Sequence, residues 1–361
     1  MSEFTGPLLK FLSEGEKSTH AFSSQDWSLL IRQARSANLL STVATQISGA
    51  EGSGLRIPDK VQLQIDNAFC VGLGSARSVR WEVSQISSVL SKANIPFVIL
   101  KGAAYEMAGL PAAAGRLFAD VDIMVPREQL ESAEGAFLRN GWTTTKFNVY
   151  DQKYYRTWMH EIPPLQHKKR GTSLDVHHAI IPPTARLKPE VDKLWAAAIE
   201  LPDFPGAYVL KPEDMVLHSA THLFHDGDLQ GGLRDLYDLD VLIQHFSKDS
   251  GFMGSLLDRA IEMDLLRPLY YALKYDRKYF DASVADEVLA KCNVLAAPPA
   301  IIGCAMDSLV KRAFYPGVEP NRSLFSSFAK WVLYVRSHYL RMPLYLLLPH
   351  LVRKAIKPDG V

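Results

Sequence analysis

The sequence lacks the features that mark secreted and membrane-spanning proteins. Its three cysteines among 361 residues form no Cys-x-x-Cys motif, which argues against a disulfide framework or a cysteine-rich metal site. No apolar run has the length of about 20 residues that a membrane span needs. The first residues include acidic side chains and do not read as a signal peptide. We therefore expect a cytoplasmic protein.

The sequence also lacks an excess of charge of either sign. Lysine and arginine number 40 and aspartate and glutamate 39, for a net charge of +1. With this balance the protein has no overall positive potential that would attract nucleic acid, so the sequence gives no strong indication of nucleic-acid binding. A local basic patch is compatible with these numbers. The hydrophobic content of 47% is that of a globular protein, and the length suffices for two or three structural units.

Apolar periodicity predicts three units along the chain. They are an N-terminal helical unit over residues 20–93, an α/β core over 94–210 and a C-terminal helical domain over 211–361. The fold class expected is α/β (α+β), with a small mixed sheet flanked by helices. The first 20 residues are expected to be frayed, and the helical pattern over 61–93 to be interrupted near Gly72 and Gly74.

Within the core, short β-branched and aromatic runs alternate with turn residues. They predict strands over residues 94–100, 120–125, 142–150, 159–167 and 173–181. A proline at one end and Asn140-Gly141 at the other predict a helix over 126–140.

Two aspartates in the second predicted strand are the most informative feature. Side chains alternate between the two faces of a strand, so Asp120 and Asp122 lie on the same face. Two neighbouring carboxylates repel each other unless a cation lies between them. Mg²⁺ prefers carboxylate oxygens and often bridges them to phosphates. We interpret the pair as a metal site; solvated acids on an edge strand, or an Asx turn, are the alternative.

Two cationic residues lie close to this pair in the sequence. Lys101-Gly102 follows the first predicted strand, where a glycine lets backbone N–H groups approach a phosphate and the lysine adds charge. Taken alone, such a dipeptide is more often an ordinary turn. Arg116 precedes Asp120 by four residues, and its guanidinium either binds phosphate bidentately or forms an ion pair.

A third acid lies in the last predicted strand of the core. Asp175 and His177 share a face of the run Leu174-Asp175-Val176-His177. Together with Asp120 and Asp122, Asp175 is the natural third ligand of a two-metal carboxylate site. We expect His177 to orient a carboxylate rather than to bind the metal.

These motifs together resemble a known family. The order of Lys101-Gly102, Arg116, Asp120-Val121-Asp122 and Asp175 is similar to that of the nucleotidyltransferase superfamily typified by DNA polymerase β. More closely, it resembles a poorly characterised bacterial nucleotidyltransferase family in which a Leu-Lys-Gly turn replaces the usual Gly-Ser. Gly141-Trp142 and the helical segment around His222, Arg234 and Asp238 extend the likeness.

The resemblance implies transfer of a nucleoside monophosphate from an NTP to a hydroxyl-type acceptor, with release of pyrophosphate. It implies Mg²⁺ as cofactor, with Mn²⁺ as the alternative, bound by Asp120, Asp122 and Asp175. Lys101 and Gly102 would face the β- and γ-phosphates, and Asp175 would accept the acceptor's proton. The sequence departs from the wider superfamily in having no serine after Gly102. The acceptor (protein, tRNA or small molecule) and the base are not specified.

Two other functions stay open at this stage. A catalytically inactive binding or scaffold protein would keep the fold, although the intact aspartates argue against it. A histidine-based metal hydrolase would use His218, His222 and His225, which share one helix face at spacings of four and three residues. The histidines are more often a polar lining.

The C-terminal stretch, residues 336–357, combines apolar side chains with basic flanks. Peripheral contact with a membrane surface is one reading of this pattern. A terminal helix docked on the core is the commoner one, and Pro343 and Pro349 spoil a regular amphipathic helix.

Overall fold

The structure of the protein is a computed structural model that describes residues 6–49, 57–226, 229, 231–282, 286–316 and 324–356. Within these ranges, seven short strands form one mixed sheet, with helices before and after it in the chain. The predicted α/β class with flanking helical units is confirmed. The proposed unit boundaries at residues 93 and 210 stay a prediction, and one buried apolar cluster includes residues from all three segments.

The first helices of the chain are α1 (Pro7–Glu14), α2 (Ser24–Ser36), α3 (Leu40–Gly49) and α4 (Asp59–Lys92). The expectation of a frayed N-terminus is wrong for α1, which buries Leu8 and Phe11 completely. Its apolar residues recur at the helical spacing of three and four, which gives the short helix a continuous apolar face. A capping box between Ser23 and Asp26 begins α2.

Helix α4 is continuous through Gly72 and Gly74, so the predicted interruption is wrong. Each glycine costs only about 1 kcal/mol of helix propensity, which a long packed helix tolerates. The two glycines differ in their surroundings. A Cβ at Gly72 would lie 2.2 Å from Ser41 Oγ on α3, whereas a Cβ at Gly74 would meet no atom within 4 Å. Gly72 therefore allows the close approach of α3 to α4.

The core alternates strands and helices. In chain order its elements are β1 (Phe97–Ile99), α5 (Lys101–Met107), β2 (Asp120–Met124), α6 (Leu130–Arg139), β3 (Trp142–Thr144), α7 (Val149–Trp158), β4 (Leu165–His167), β5 (Ser173–His177), α8 (Val191–Ala196), β6 (Ile199–Glu200) and β7 (Ala207–Val209). The strands predicted over 142–150, 159–167 and 173–181 are too long. The strand predicted over 142–150 cannot reach its expected end, because a helix begins there. Asn148 caps α7 by accepting hydrogen bonds from the backbone N–H groups of Tyr150 and Asp151.

The strands lie in the order β3-β4-β5-β2-β1-β7-β6. Strand β2 is central, antiparallel to β1 and parallel to β5. The register of the parallel pair places Asp122 opposite Asp175. Strand β7, which pairs in parallel with β1, has no counterpart among the sequence predictions. It has only three residues, too few to show a periodic pattern.

The chain is helical after the sheet, as predicted. The helices are α9 (Pro212–Thr221), α10 (Gly232–Phe246), α11 (Phe252–Glu262), α12 (Leu266–Phe280), α13 (Asp286–Ala296), α14 (Ala300–Phe314), α15 (Leu324–Arg341) and α16 (Leu344–Ile356). None of the helices in the described ranges is both long enough and apolar enough to cross a membrane.

The last two helices dock on the core through a small apolar cluster of their own. Met342 and Leu347 are buried there against Tyr154 and Met159, which is the docked arrangement that the sequence favours. The other side of α15 is exposed, with Trp331 60% accessible. Contact of this segment with a membrane surface stays a prediction.

The two glycines of α4 predict opposite effects of the same substitution. Gly74→Ala is expected to raise the stability by about 1 kcal/mol, because alanine is the better helix former and meets no neighbour. Gly72→Ala is expected to lower it by about 1–3 kcal/mol, because the new methyl group overlaps Ser41. Thermal unfolding of the two variants tests this. A stabilised Gly72→Ala protein would show that the contact between α3 and α4 is not tight.

Candidate nucleotide and metal site

One cavity of about 390 Å³ opens beside the central strands, a volume in the range of small-molecule sites. Its lining includes every candidate site residue of the sequence analysis: Lys101, Gly102, Arg116, Asp120, Asp122 and Asp175. The same wall includes His160, Glu161, His177 and His222. The tertiary structure thus brings together residues as far apart along the chain as Lys101 and Arg341.

The three aspartates come from two neighbouring parallel strands. Asp120 and Asp122 lie on β2, and Asp175 lies opposite Asp122 on β5. Asp122 is only 4% exposed, whereas Asp120 is exposed at the start of its strand. All three line the same cavity, as expected for side chains that share one face of a sheet.

Asp122 is held by two nitrogen atoms. Its Oδ1 accepts hydrogen bonds from Lys101 Nζ at 2.7 Å and from His177 Nε2 at 3.0 Å. Burial alone would raise the pKa of Asp122, but the Lys101 charge and the His177 hydrogen bond hold it far below its usual range. Burial would lower the pKa of Lys101, yet Asp122 raises it above the usual value. Both groups therefore stay charged, and His177 forms a hydrogen bond with the Asp122 carboxylate.

Lys101 lies at the sharp turn between β1 and α5. Its φ is +50°, in the left-handed region that residues other than glycine seldom adopt. Such a conformation costs about 1–3 kcal/mol and persists only when surrounding contacts hold it. The ion pair with Asp122 is one such contact, and it directs the ammonium group into the cavity wall.

Asp175 is the least satisfied of the three acids. Among the described residues its buried Oδ1 has no hydrogen-bond partner. Burial, followed by the charges of Asp122 and Glu161, raises its pKa to about 7. Asp120 is exposed, but desolvation by the surrounding cavity wall and the charge of Asp122 also raise its pKa. Both shifts indicate an excess of negative charge that a bound cation would relieve.

Arg116 forms an ion pair with Asp238 of α10 rather than with the aspartates of β2. Asp238 also pairs with Arg234 one turn earlier, at 3.0 Å. A Cβ at Gly102 would lie 2.3 Å from Arg116 Nε. Gly102 therefore leaves the space through which the Arg116 side chain reaches from the core to the C-terminal helices.

The histidines considered for a hydrolase do not form a metal cluster in the described parts of the chain. His218 and His225 are buried, while His222 lies in a π-helical turn after α9 and lines the cavity. The charge of Lys101, together with burial, holds the pKa of His222 well below its usual value. His222 is thus a neutral side chain facing the aspartates.

Sequence reasoning missed Glu161 and His160. In the described ranges, His160, Glu161 and His177 form a set whose possible ligand atoms all lie within 4.8 Å of one another. The strand predicted over residues 159–167 includes both His160 and Glu161. Only the isolated bridge that pairs Glu161 with His177 brings them to the site, and a bridge of one residue pair leaves no pattern in the sequence.

A mixed sheet with aspartates on neighbouring strands, facing a cavity beside a strand-to-helix turn, is the arrangement expected of a nucleotidyltransferase. Comparison with protein families agrees: residues 23–281 match the family described as uncharacterised nucleotidyltransferase. The match covers well over half of the chain, which therefore belongs to this nucleotidyltransferase family. Neither the curated proteins nor the solved structures contain a match.

The contact between Gly102 and Arg116 predicts a strong coupling between two substitutions. Gly102→Ala is expected to destabilise the protein by about 1–3 kcal/mol, because its methyl group displaces the guanidinium. In an Arg116→Ala background the guanidinium no longer fills the space beside Gly102. The loss of stability caused by Gly102→Ala should then be smaller by at least about 1 kcal/mol. Thermal unfolding of the four proteins of the cycle measures this coupling. Additive effects would contradict the contact.

The raised pKa of Asp175 predicts a pH-dependent stability. The group titrates near 3.8 when unfolded and near 7 in the fold. Below pH 4 both states are protonated; as the pH rises to 7 the unfolded state ionises first and is favoured. The penalty reaches at most about 4 kcal/mol above pH 7, at about 1.4 kcal/mol per pKa unit.

Asp175→Asn removes this penalty and should stabilise the metal-free protein more at pH 8 than at pH 5. Thermal unfolding at the two pH values measures the difference. Asp66→Asn is the matched control, since Asp66 is exposed on α4 and bonds only to the Gln62 amide among the described residues. A gain for Asp175→Asn that is equal at both pH values would show that its carboxyl titrates normally.

Proposed function

We propose that the protein is a metal-dependent nucleotidyltransferase that moves an NMP from an NTP to a hydroxyl-type acceptor and releases pyrophosphate. The observation that carries the proposal is the cavity shared by Asp120, Asp122 and Asp175 on two parallel strands, with Lys101 beside them. Phosphoryl-type transfer depends mainly on positioning and on neutralising charge, and this set of side chains is suited to both.

The residues of the cavity fit Mg²⁺, with Mn²⁺ as the alternative. Carboxylate oxygens are the ligands that these ions prefer, and the buried Oδ1 of Asp175 has no hydrogen-bond partner among the described residues. Asp120, Asp122 and Asp175 would hold the metal. When bound, it would neutralise the triphosphate and the developing charge on the leaving pyrophosphate.

The chain's own residues supply the remaining steps. The acceptor hydroxyl oxygen forms a bond to the α-phosphorus, and the bond from that phosphorus to the bridging oxygen of the β-phosphate breaks. Pyrophosphate leaves with the electron pair. Asp175, whose Oδ1 has no hydrogen-bond partner among the described residues, accepts the hydroxyl proton as general base.

Lys101 and Gly102 are proposed to face the β- and γ-phosphates. Lys101 stays protonated because Asp122 raises its pKa, so its charge is available at neutral pH. This charge takes the place of the hydroxyl that a serine after Gly102 would provide. Arg116, anchored by Asp238, adds a second positive group to the cavity lining.

Transfer of label from α-³²P-NTPs tests the reaction. The tag-free protein is incubated with each of the four NTPs and Mg²⁺, alone and with cell lysate. We expect transfer of labelled NMP with one or more NTPs, abolished by EDTA. Asp122→Asn should lower the rate by at least about 100-fold. The substitution removes a negative charge that would hold the metal ion, and the metal ion would neutralise the triphosphate.

The surface variant Asp66→Asn should transfer label at the wild-type rate. NTP binding without transfer in any mixture would favour the alternative of an inactive binding protein. Transfer that survives Asp122→Asn would refute the assignment of the site, because the chemistry would then lie elsewhere in the chain.

A further inference from the structure

Beside the aspartates, two histidines and a glutamate converge on one point of the cavity wall. The segment around Glu161 pairs with the end of β5: the His178 N–H donates to the His160 carbonyl at 2.8 Å, and the Ile162 N–H to the Val176 carbonyl at 3.0 Å. Glu161 thus lies opposite His177 in an antiparallel bridge. The backbone of the sheet, rather than a free loop, holds these side chains together.

The side-chain geometry is that of a metal-binding set. Glu161 Oε2 lies 3.5 Å from His177 Nδ1, and the rings of His160 and His177 are 5.1 Å apart at their centroids. Ligand atoms bound to one tetrahedral Zn²⁺ at about 2.0–2.2 Å lie roughly 3.3–3.6 Å from each other. The measured separation of Glu161 and His177 falls in that range.

The hydrogen bond of His177 to Asp122 decides which nitrogen is available to a metal. Asp122 Oδ1 also accepts a hydrogen bond from Lys101 Nζ, so this oxygen is an acceptor and His177 Nε2 carries the proton of its bond to Asp122. In the neutral ring Nδ1 then has a lone pair, and it points toward a second acceptor, Glu161. Two acceptors that face each other at this distance favour a cation between them.

A second proton on His177 and a metal ion are two ways to supply this positive charge. A protonated Nδ1 would donate to Glu161 at about 2.7–3.2 Å, but the distance is 3.5 Å and this buried nitrogen makes no hydrogen bond within the described residues. The side chain of His177 is only 4% exposed. An imidazole whose other nitrogen bonds to a carboxylate is the usual form of a metal-binding histidine.

We propose that His160, Glu161 and His177 bind a divalent transition-metal ion of the Zn²⁺ type, separate from the ion held by the aspartates. Two imidazoles and one carboxylate favour zinc, cobalt or nickel over magnesium. Three protein ligands facing a cavity leave a coordination position open. This inference does not rest on the proposed transferase activity, since it concerns binding alone.

The bound ion would fix His177 in the tautomer that donates to Asp122. Occupancy would therefore position the Asp122 carboxylate through the ring of His177, and it would add positive charge beside four acidic side chains: Asp120, Asp122, Glu161 and Asp175. Glu161 and His160 act here as ligands of a positioning site, not as catalytic residues.

Metal binding by the chelator-treated, tag-free full chain tests the proposal directly. Zn²⁺ is titrated by calorimetry, and Co²⁺ is added as a spectroscopic probe whose visible absorption reports tetrahedral nitrogen and oxygen ligands. We expect one equivalent of each ion to bind in the presence of excess Mg²⁺. Glu161→Gln, which keeps the shape of the side chain, and His160→Ala should weaken binding by about tenfold or more.

Two control variants separate this site from others. Asp120→Asn removes a carboxylate of the proposed magnesium site, and His20→Ala removes an exposed histidine; both should retain the Co²⁺ band. The absence of saturable Zn²⁺ binding overturns the proposal, as does binding that Glu161→Gln and His160→Ala leave unchanged. Binding lost only in Asp120→Asn would overturn it too, because the ion would then lie among the aspartates. If the protein transfers no label from NTPs, the proposed transferase activity is contradicted, but the metal-binding measurements still test this site.

Discussion

The shared hydrogen bonds of Asp122 Oδ1 with Lys101 and His177 are the interaction on which the site depends. An ionised carboxylate with 4% exposure is stable only with such charged or polar partners. The three residues of this set come from three different elements: Lys101 from the start of α5, Asp122 from strand β2 and His177 from the end of β5. The bonds therefore fix the relative positions of these elements at the cavity and hold the left-handed turn at Lys101.

A second network connects this centre to the C-terminal helices. Arg116 passes over Gly102 to Asp238 on α10, and Arg234 extends the network to Thr42 on α3. Buried ion pairs of this kind add little net stability relative to apolar packing. Removing one member of the pair nevertheless destabilises the fold, because the other charge stays buried without a partner. The network thus connects α3 and α10 to the turn that carries Lys101.

Negative charge in the cavity is distributed unevenly. Asp122 is neutralised by protein cations, whereas Asp175 is not and has a pKa of about 7. The aspartates thus have different environments although they lie side by side on parallel strands. Two carboxylates on neighbouring strands are thus given different pKa values by their surroundings. Glu161 adds to the imbalance and is itself paired with a histidine.

The sequence by itself determined the fold class, the strand that carries Asp120 and Asp122, and the presence of an acid on β5. These follow from local patterns, since alternation along a strand and turn residues at its ends need no distant partner. It also predicted that His177 orients a carboxylate, and His177 forms a hydrogen bond with Asp122. The predicted strands were too long. The β-branched and aromatic run that begins at Trp142 continues past Asn148, where the structure begins a helix. Helix α1 was missed, because eight residues are too few to show a clear helical period.

Only the tertiary structure decided which groups meet. The parallel register of β2 and β5 sets Asp122 against Asp175, and a one-residue shift would turn one of them to the other face of the sheet. The partner of Arg116 is 122 residues away on α10, and Glu161 reaches His177 through a single bridged residue pair. Such contacts depend on the packing of separate elements, and no periodicity in the chain records them.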